Sequence, residues 1–289
     1  MTHMLGMRAA VSEADAPFDP SVAGVVVGGM LVAIVSSVVA AAWIASRMRS
    51  GRPVPALRPH PPAPWRGADV ARIALVYVTL SVAAAGLGAG QDAVSRLQLV
   101  LGSAVPAAAT LVGISVLRGA GASWAAIGFT GGRWWDDLRI AGVGLALVLA
   151  PLLAMAAVLD RIVPYQHFLA TFLRSHRDPV DVAIVALAAV VVAPIAEEFF
   201  FRRVLQGWLE ARLPQADGAG AIGLSAALFG AAHIGHGLAP APLFLLGVVL
   251  GLIARRTGSV VPCALLHAAF NAVGVALLLA APAVPAVAC

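Results

Sequence analysis

Long apolar runs constrain the fold of this chain more than any other feature of its sequence. About twenty apolar residues in a helix match the roughly 30 Å hydrocarbon core of a bilayer. In lipid, a single apolar run must form a helix, because only a helix pairs the backbone N–H and C=O groups of one segment with each other. Eight runs occur, at residues 22–46, 70–89, 97–117, 138–159, 180–201, 221–234, 241–254 and 260–280. We therefore predict an all-α fold, a polytopic transmembrane helix bundle with about eight membrane spans.

The composition excludes an ordinary soluble domain. Hydrophobic residues make up 61% of the chain and charged residues 11%, whereas charged residues reach about 25% in soluble domains. The net charge of +5 does not indicate a nucleic-acid partner, because the arginines lie in loops between apolar runs. Cys263 and Cys289 fall at opposite ends of the last run, so we predict no disulfide between them.

Arginines in alternate loops predict the orientation of the bundle. They follow the first, third, fifth and seventh runs, and positively charged loops stay on the cytoplasmic side. The acidic N-terminal segment and the loop that follows the fourth run then lie outside, as do both termini. We read the first run as an uncleaved span. We predict that the protein lies in the cell (inner) membrane, where the lipid bilayer surrounds it.

A linker rich in arginine and proline, residues 47–66, separates the first run from the rest. Such composition predicts an extended segment without a core of its own. We interpret it as a spacer, and the alternative is a polybasic contact with anionic headgroups. The predicted division is residues 1–68, a membrane span plus this linker, and residues 69–289, the functional membrane domain.

Two adjacent carboxylates, Glu197 and Glu198, lie near the end of the fifth run. An ionisable side chain at a helix centre costs roughly 2.5 to 3.5 kcal/mol, so it indicates function by default. Glu198 shares a helix face with Arg202, which leaves Glu197 to point at another helix. Pro194 is expected to kink the helix and admit water. The alternative is a purely structural pair of glutamates opposite Arg202 and Arg203.

Three further polar residues occupy later apolar runs: His233, His267 and Asn271. His267 and Asn271 are four residues apart and project from one helix face. A glutamate with a histidine suits general-base activation of water, and a second histidine with an asparagine suits an oxyanion. The same residue types permit a zinc site through Glu197, His233 and His267 with water as the fourth ligand. No HExxH pattern supports that alternative, so we predict no cofactor.

The three motifs, in this order, resemble a known family. Glu197-Glu198 with Arg202 forms EExxxR, Phe229 with His233 forms FxxxH, and His267 with Asn271 forms HxxxN. This is the signature of the CAAX-processing and bacteriocin-processing (CPBP, Abi) intramembrane proteases, and the similarity extends over residues 124–274. The resemblance implies a helical membrane endopeptidase whose site opens to the cytoplasm. It also implies that Glu197 and His233 activate water while His267 and Asn271 stabilise the oxyanion.

The leading hypothesis is therefore an intramembrane endopeptidase acting on a membrane-associated protein or peptide. One alternative is a proton-coupled transporter, because a glutamate and histidines inside a bundle also suit a proton relay. Another is a non-catalytic bacteriocin-immunity or scaffold protein that keeps the fold. The sequence does not identify the substrate, its lipidation or the oligomeric state.

Overall fold

The computed structural model describes residues 20–52, 54–87, 96–129, 133–165, 167–213 and 218–281. Within these ranges all regular structure is helical, which confirms the predicted all-α fold. The helices are α1 (Pro20–Arg49), α2 (Gly67–Leu87), α3 (Arg96–Gly119), α4 (Trp124–Ile127), α5 (Trp134–Asp160), α6 (Phe168–Ser175), α7 (Pro179–Glu210), α8 (Ala219–Ala231), α9 (Pro240–Thr257) and α10 (Val261–Ala280).

The described helices include 7 that are long and apolar enough to cross a membrane: α1, α2, α3, α5, α7, α9 and α10. Helix α8 formed the sixth predicted span, but it has 13 residues and a length of about 20 Å. It ends at Ala231 because the following turns contain Gly235 and Gly237 at φ values of 103° and 64°, which glycine adopts most readily. The chain is a multi-pass membrane protein with one helix that is too short to cross the bilayer alone.

Helix α7 is a continuous rod of 32 residues that contains two π-helical segments, Leu187–Val192 and Phe199–Leu205. Such wide turns are frequent at functional sites. The first segment ends just before Pro194, whose ring and missing N–H cannot be accommodated in a regular α-helical interior. Glu197 and Glu198 occupy the short α-helical stretch between the two segments. The proline therefore lies beside a widened turn of an unbroken helix.

Helix α7 packs against α3 on one side and α10 on the other. Phe199 of α7 is fully buried. A Cβ atom built on Gly113 of α3 would lie 2.8 Å from the Phe199 ring, so only glycine permits this approach of the two helices. Close helix contacts of this kind replace the hydrophobic driving force that is absent between helices in lipid.

Helices α1, α3, α7 and α9 finish at one end of the bundle, and α2, α5, α8 and α10 begin there. We call this the arginine-rich end. The linker packs against this end. Arg58 pairs with Asp137 at 2.7 Å, and its backbone N–H donates to the Arg256 carbonyl at 2.7 Å. Trp65 is 1% exposed and donates to the Val204 carbonyl. The first three linker residues continue α1, and residues 50–52 and 54–66 have no regular secondary structure. These described residues contribute to the core instead of forming a free spacer.

Candidate active site

One carboxylate of the adjacent pair is buried and held from two sides. Glu198 is 0% exposed. Its Oε2 accepts a hydrogen bond from Nε of Arg202 at 2.9 Å, and its Oε1 lies 2.9 Å from Nδ1 of His267. Because a carboxylate oxygen accepts, Nδ1 of His267 donates. A buried carboxylate is costly unless it is paired and hydrogen-bonded, and Glu198 satisfies both conditions while it orients His267.

The other carboxylate is partly accessible. The Glu197 side chain is 28% exposed, and its Oε2 lies 3.8 Å from Nε2 of His267. His267 itself is buried at 3% exposure. One imidazole thus lies between both carboxylates, with Nδ1 on Glu198 and Nε2 towards Glu197. The two glutamates occupy different environments in the way that their helical phasing predicts.

A phenylalanine ring contacts polar residues from three separate parts of the chain. Phe229 in α8 is fully buried. Its ring centroid lies 5.2 Å from that of His233 and 5.7 Å from that of His267, in edge-on contacts. The Arg202 guanidinium lies 4.9 Å from the same ring. The phenylalanine of the FxxxH motif therefore contacts both imidazoles with one apolar ring.

His233 lies in the turns after α8, two residues beyond its end, although run 221–234 predicted it inside a spanning helix. The helix ends early because of the glycines that follow. Nδ1 of His233 lies 2.9 Å from the Phe229 carbonyl. A carbonyl only accepts, so Nδ1 carries a proton and donates. His233 and His267 both lie close enough to Glu197 to interact with its charge.

Asn271 binds the backbone of α7. Its Nδ2 donates to the Ala189 carbonyl at 2.8 Å, within the π-helical segment Leu187–Val192. Wide turns leave carbonyls without their usual helical partner, and the amide satisfies one of them. In this structure Asn271 therefore fastens α10 to α7, one helical turn beyond His267.

The residues do not form a ready metal site. Within the described part of the chain, no group of three or more His, Cys, Asp or Glu side chains is arranged to hold a metal ion. Nδ1 of His267 and Nδ1 of His233 are both engaged, with Glu198 and the Phe229 carbonyl respectively. A metal ion could therefore reach these rings only through Nε2, the arrangement that metal-bound histidines usually have. The zinc alternative stays a hypothesis.

Two polar residues next to the site were not predicted. The Tyr77 hydroxyl bonds to Thr110 at 2.7 Å and to the Ala196 carbonyl at 3.2 Å, beside Glu197. Ser225 in α8 is fully buried, donates to the Phe201 carbonyl at 2.8 Å, and accepts from Arg202 at 3.4 Å. Both are hydroxyl groups in otherwise apolar runs, which was the available sequence signal.

A loop from the opposite end of the bundle reaches the site. The His167 and His236 rings lie 4.5 Å apart, and His236 lies 6.2 Å from His233. A Cβ on Gly237 would lie 2.9 Å from the Pro164 carbonyl oxygen. Burial, followed by the charges of His236 and His233, lowers the pKa of His167 to about 4. Burial also lowers the pKa of His236, so both imidazoles favour their neutral forms here.

Comparison with known proteins agrees with this geometry. Residues 179–273 match the family model described as type II CAAX prenyl endopeptidase Rce1-like. The match covers about a third of the chain and includes all six candidate residues, Glu197, Glu198, Arg202, His233, His267 and Asn271. No curated protein and no solved structure matches the chain significantly. Over residues 179–273 the chain is therefore similar to the Rce1-like type II CAAX prenyl endopeptidases, which confirms the family resemblance predicted from its three motifs.

Proposed function

We propose that this protein is an intramembrane endopeptidase in which Glu197 and His233 activate a water molecule. One observation carries the proposal: of the two adjacent carboxylates, Glu198 is closed off by Arg202 and His267, whereas Glu197 is 28% exposed beside the same imidazole. An accessible carboxylate next to a fixed imidazole is the minimum for general-base catalysis. The family match supports endopeptidase chemistry.

The charges of the site balance if His267 is an imidazolium, and we propose this state. Glu197 and Glu198 supply two negative charges, and Arg202 and His267 supply two positive ones. Glu198 holds Nδ1–H of His267 and thereby aims Nε2–H at the space beside Glu197. A preorganised donor of this kind in a dry site stabilises a developing oxyanion by about 2.7 to 4 kcal/mol.

The proposed reaction follows from these positions. Water donates one hydrogen bond to Glu197 and the other to the Nε2 lone pair of His233. Glu197 takes the proton as the water oxygen attacks the scissile carbonyl, and Nε2–H of His267 stabilises the tetrahedral oxyanion. Glu197 then passes the proton to the leaving amine, and the C–N bond breaks. Asn271 keeps α10 in register through the Ala189 carbonyl and completes the oxyanion site with its amide.

We propose a substrate that is a membrane-associated protein or peptide and a location in the inner cell membrane. Glu197 lies within a helix long enough to cross a membrane, so a scissile bond must reach membrane depth. The arginine-containing loops favour a cytoplasmic position for the arginine-rich end. Along α10, His267 lies six residues from that end, about 9 Å by helix rise.

The decisive test uses a strain in which the gene for this protein is deleted. The strain is complemented with the wild-type protein, Glu197→Gln or Asp136→Asn. Asp136 is an exposed carboxylate at the start of α5, 47% exposed, and serves as the matched control. New N-termini of membrane proteins are quantified by mass spectrometry. We expect Glu197→Gln to lower their yield at least about 100-fold, since general-base catalysis contributes 10² to 10⁴, and Asp136→Asn to leave it unchanged.

Equal thermal unfolding of the purified variants establishes that Glu197→Gln is folded. Full processing by a folded Glu197→Gln protein would refute the proposal, and a biological effect that survives this substitution would favour the non-catalytic immunity or scaffold hypothesis. In a parallel arm, the purified protein is treated with a zinc chelator. Loss of cleavage that added Zn²⁺ restores would support the zinc alternative.

A further inference from the structure

A polar cavity lies at the arginine-rich end, and none of the six candidate catalytic residues lines it. It has a volume of about 220 Å³ and lies between the linker and the ends of α7 and α9. Its lining includes His60 and Pro62 of the linker, Arg203, Gly207 and Glu210 of α7, and Arg255 of α9. Pockets for drug-sized ligands have roughly 300–1,000 Å³, so this cavity suits a smaller group.

One wall of the cavity is a buried arginine that is already held in place. Arg203 is 5% exposed. Its guanidinium donates to the Ala126 carbonyl through Nε and to the Pro61 carbonyl at 3.0 Å through Nη2, and it stacks on Trp65 at 5.6 Å. A guanidinium has five N–H donors, so these two carbonyls use only part of its capacity. A ligand would meet Arg203 in a fixed orientation.

Among the described residues, Arg203 has no ion pair, whereas its neighbour Arg202 has one. Arg202 forms an ion pair with Glu198. For Arg203, the described residues provide carbonyl partners but no ion pair. Glu210 also lines the cavity and its charge acts on Arg203, but its ion pair is with Arg255, at 3.7 Å. A buried cation costs free energy unless a counter-charge accompanies it, and the cavity is where that counter-charge fits.

We propose that this cavity binds the phosphodiester monoanion of an acidic phospholipid headgroup. A monoanion supplies one counter-charge for Arg203, which has carbonyl partners but no ion pair among the described residues. Guanidinium groups suit phosphate oxygens because their planar N–H groups bind them in pairs. The cavity lies at the ends of membrane-length helices, where basic pockets between helices meet the headgroups of the cytoplasmic leaflet.

The bound headgroup would join three parts of the chain. His60 belongs to the linker, Arg203 to α7 and Arg255 to α9. A Cβ built on Gly258 would clash with His60, and one built on Gly218 would lie 2.6 Å from the Arg255 guanidinium, so both side chains lie against glycine backbone that leaves them room. Headgroup binding would therefore add a link between the linker and the arginine-rich end to the contacts that Arg58 and Trp65 already make there.

The test uses the purified full chain in detergent, with thermal unfolding followed by tryptophan fluorescence. The probes are dihexanoyl phosphatidylglycerol, dihexanoyl phosphatidylcholine and inorganic phosphate, and apparent affinities come from the shift of Tm with concentration. We expect phosphatidylglycerol to bind at least about tenfold more tightly than phosphatidylcholine, whose choline cation meets Arg255. Inorganic phosphate that binds as tightly as phosphatidylglycerol would overturn the lipid assignment in favour of free phosphate.

Two neighbouring arginines provide a matched pair of variants. Arg255→Gln removes a charge from the cavity, and Arg256→Gln removes one from the same helical turn outside it. We expect Arg255→Gln to weaken phosphatidylglycerol binding about tenfold, the size of one charge-assisted hydrogen bond, and Arg256→Gln to change it less than twofold. Glu210→Gln should tighten binding severalfold because it removes the one negative charge of the lining.

Equal affinity for Arg255→Gln and Arg256→Gln, or unchanged affinity for Glu210→Gln, would overturn the proposal. If Arg255→Gln does not fold, His60→Ala tests the same cavity from the linker and should weaken binding while Arg256→Gln does not.

Discussion

Helices α1 and α7 are both long apolar rods, but they differ in what surrounds them. Helix α1 packs mainly against α5 and leaves most of its large side chains exposed, among them Val27, Leu31 and Val38. Helix α7 is enclosed by α3, α8, α9 and α10, and it buries Glu198, Arg202 and Arg203. Hydrophobic length alone therefore does not distinguish a peripheral span from a functional one.

The difference shows how a membrane protein handles polar groups. Helix α1 reaches α5 through a hydroxyl bond, from Ser37 to the Ala146 carbonyl at 2.7 Å. Helix α7 instead holds charges that lipid does not solvate. Glu198 and Arg202 pair within the helix, and both also have partners on other helices. Those partners, such as His267 and Ser225, draw helices together. The charges of α7 are the reason for its central place.

The largest effect on stability should come from breaking the buried charge network of α7. Glu198→Gln leaves the Arg202 and His267 donors without their carboxylate, and we expect a loss of about 3–5 kcal/mol. Ser37→Ala removes the polar contact of α1 and should cost about 1 kcal/mol or less. Reversible unfolding in detergent measures both, and equal stability of the two variants would contradict the contrast.

A smaller difference should follow from glycine substitutions in the two regions. Gly113→Ala places a methyl group 2.8 Å from the Phe199 ring of α7, and overpacking costs about 1–3 kcal/mol. Nothing lies within 4 Å of a Cβ at Gly28 of α1, so Gly28→Ala should be neutral or slightly stabilising through better helix propensity. The same unfolding assay measures the stability of both variants. A destabilised Gly28→Ala would mean that another helix packs closely against α1 at this position.

The smallest effect concerns the pH dependence of the loop that precedes α6 and carries His167. The packed loop favours neutral His167, with a pKa of about 4, and neutral His236. It therefore binds fewer protons than an open loop, in which histidine has its ordinary pKa of about 6.5. Packing is strongest above that value and weakens as pH falls towards 4.

Hydrogen exchange of residues 160–170, corrected for intrinsic rates, should show greater protection at pH 7 than at pH 5. Helix α1 contains no histidine and supplies the internal control, whose protection should stay constant over the same range. His167→Gln should remove the pH dependence of the loop, and a dependence that persists in this variant would assign it to other groups.

Much of this architecture was predictable because lipid imposes strict rules. Apolar length predicted the helices, and the i, i+4 spacing of Glu198 with Arg202 and of His267 with Asn271 predicted shared faces. The bundle places Glu198 and Glu197 on either side of His267. The catalytic roles of these residues, and the division at residue 68, remain predictions.

Other features depended on contacts that no local pattern reports. Helix α8 ends at Ala231, so His233 lies in a turn. Asn271 bonds to a carbonyl that the π-helical segment leaves available, and π-helical register has no recognisable sequence pattern. The linker packs through Trp65 onto Val204, although its composition predicted only a spacer. For Asn271 and Trp65 the partner lies far away in the sequence.

Residue type and spacing within single helices are enough to predict the helical membrane class, the family resemblance and the residues able to carry chemistry. This information is decisive because unpaired polar groups are costly in lipid. Which carboxylate is enclosed and which is accessible, and which arginine has a carboxylate partner, depend on how the helices pack. Those properties depend on distances between helices, because burial and charge pairing belong to the packed bundle.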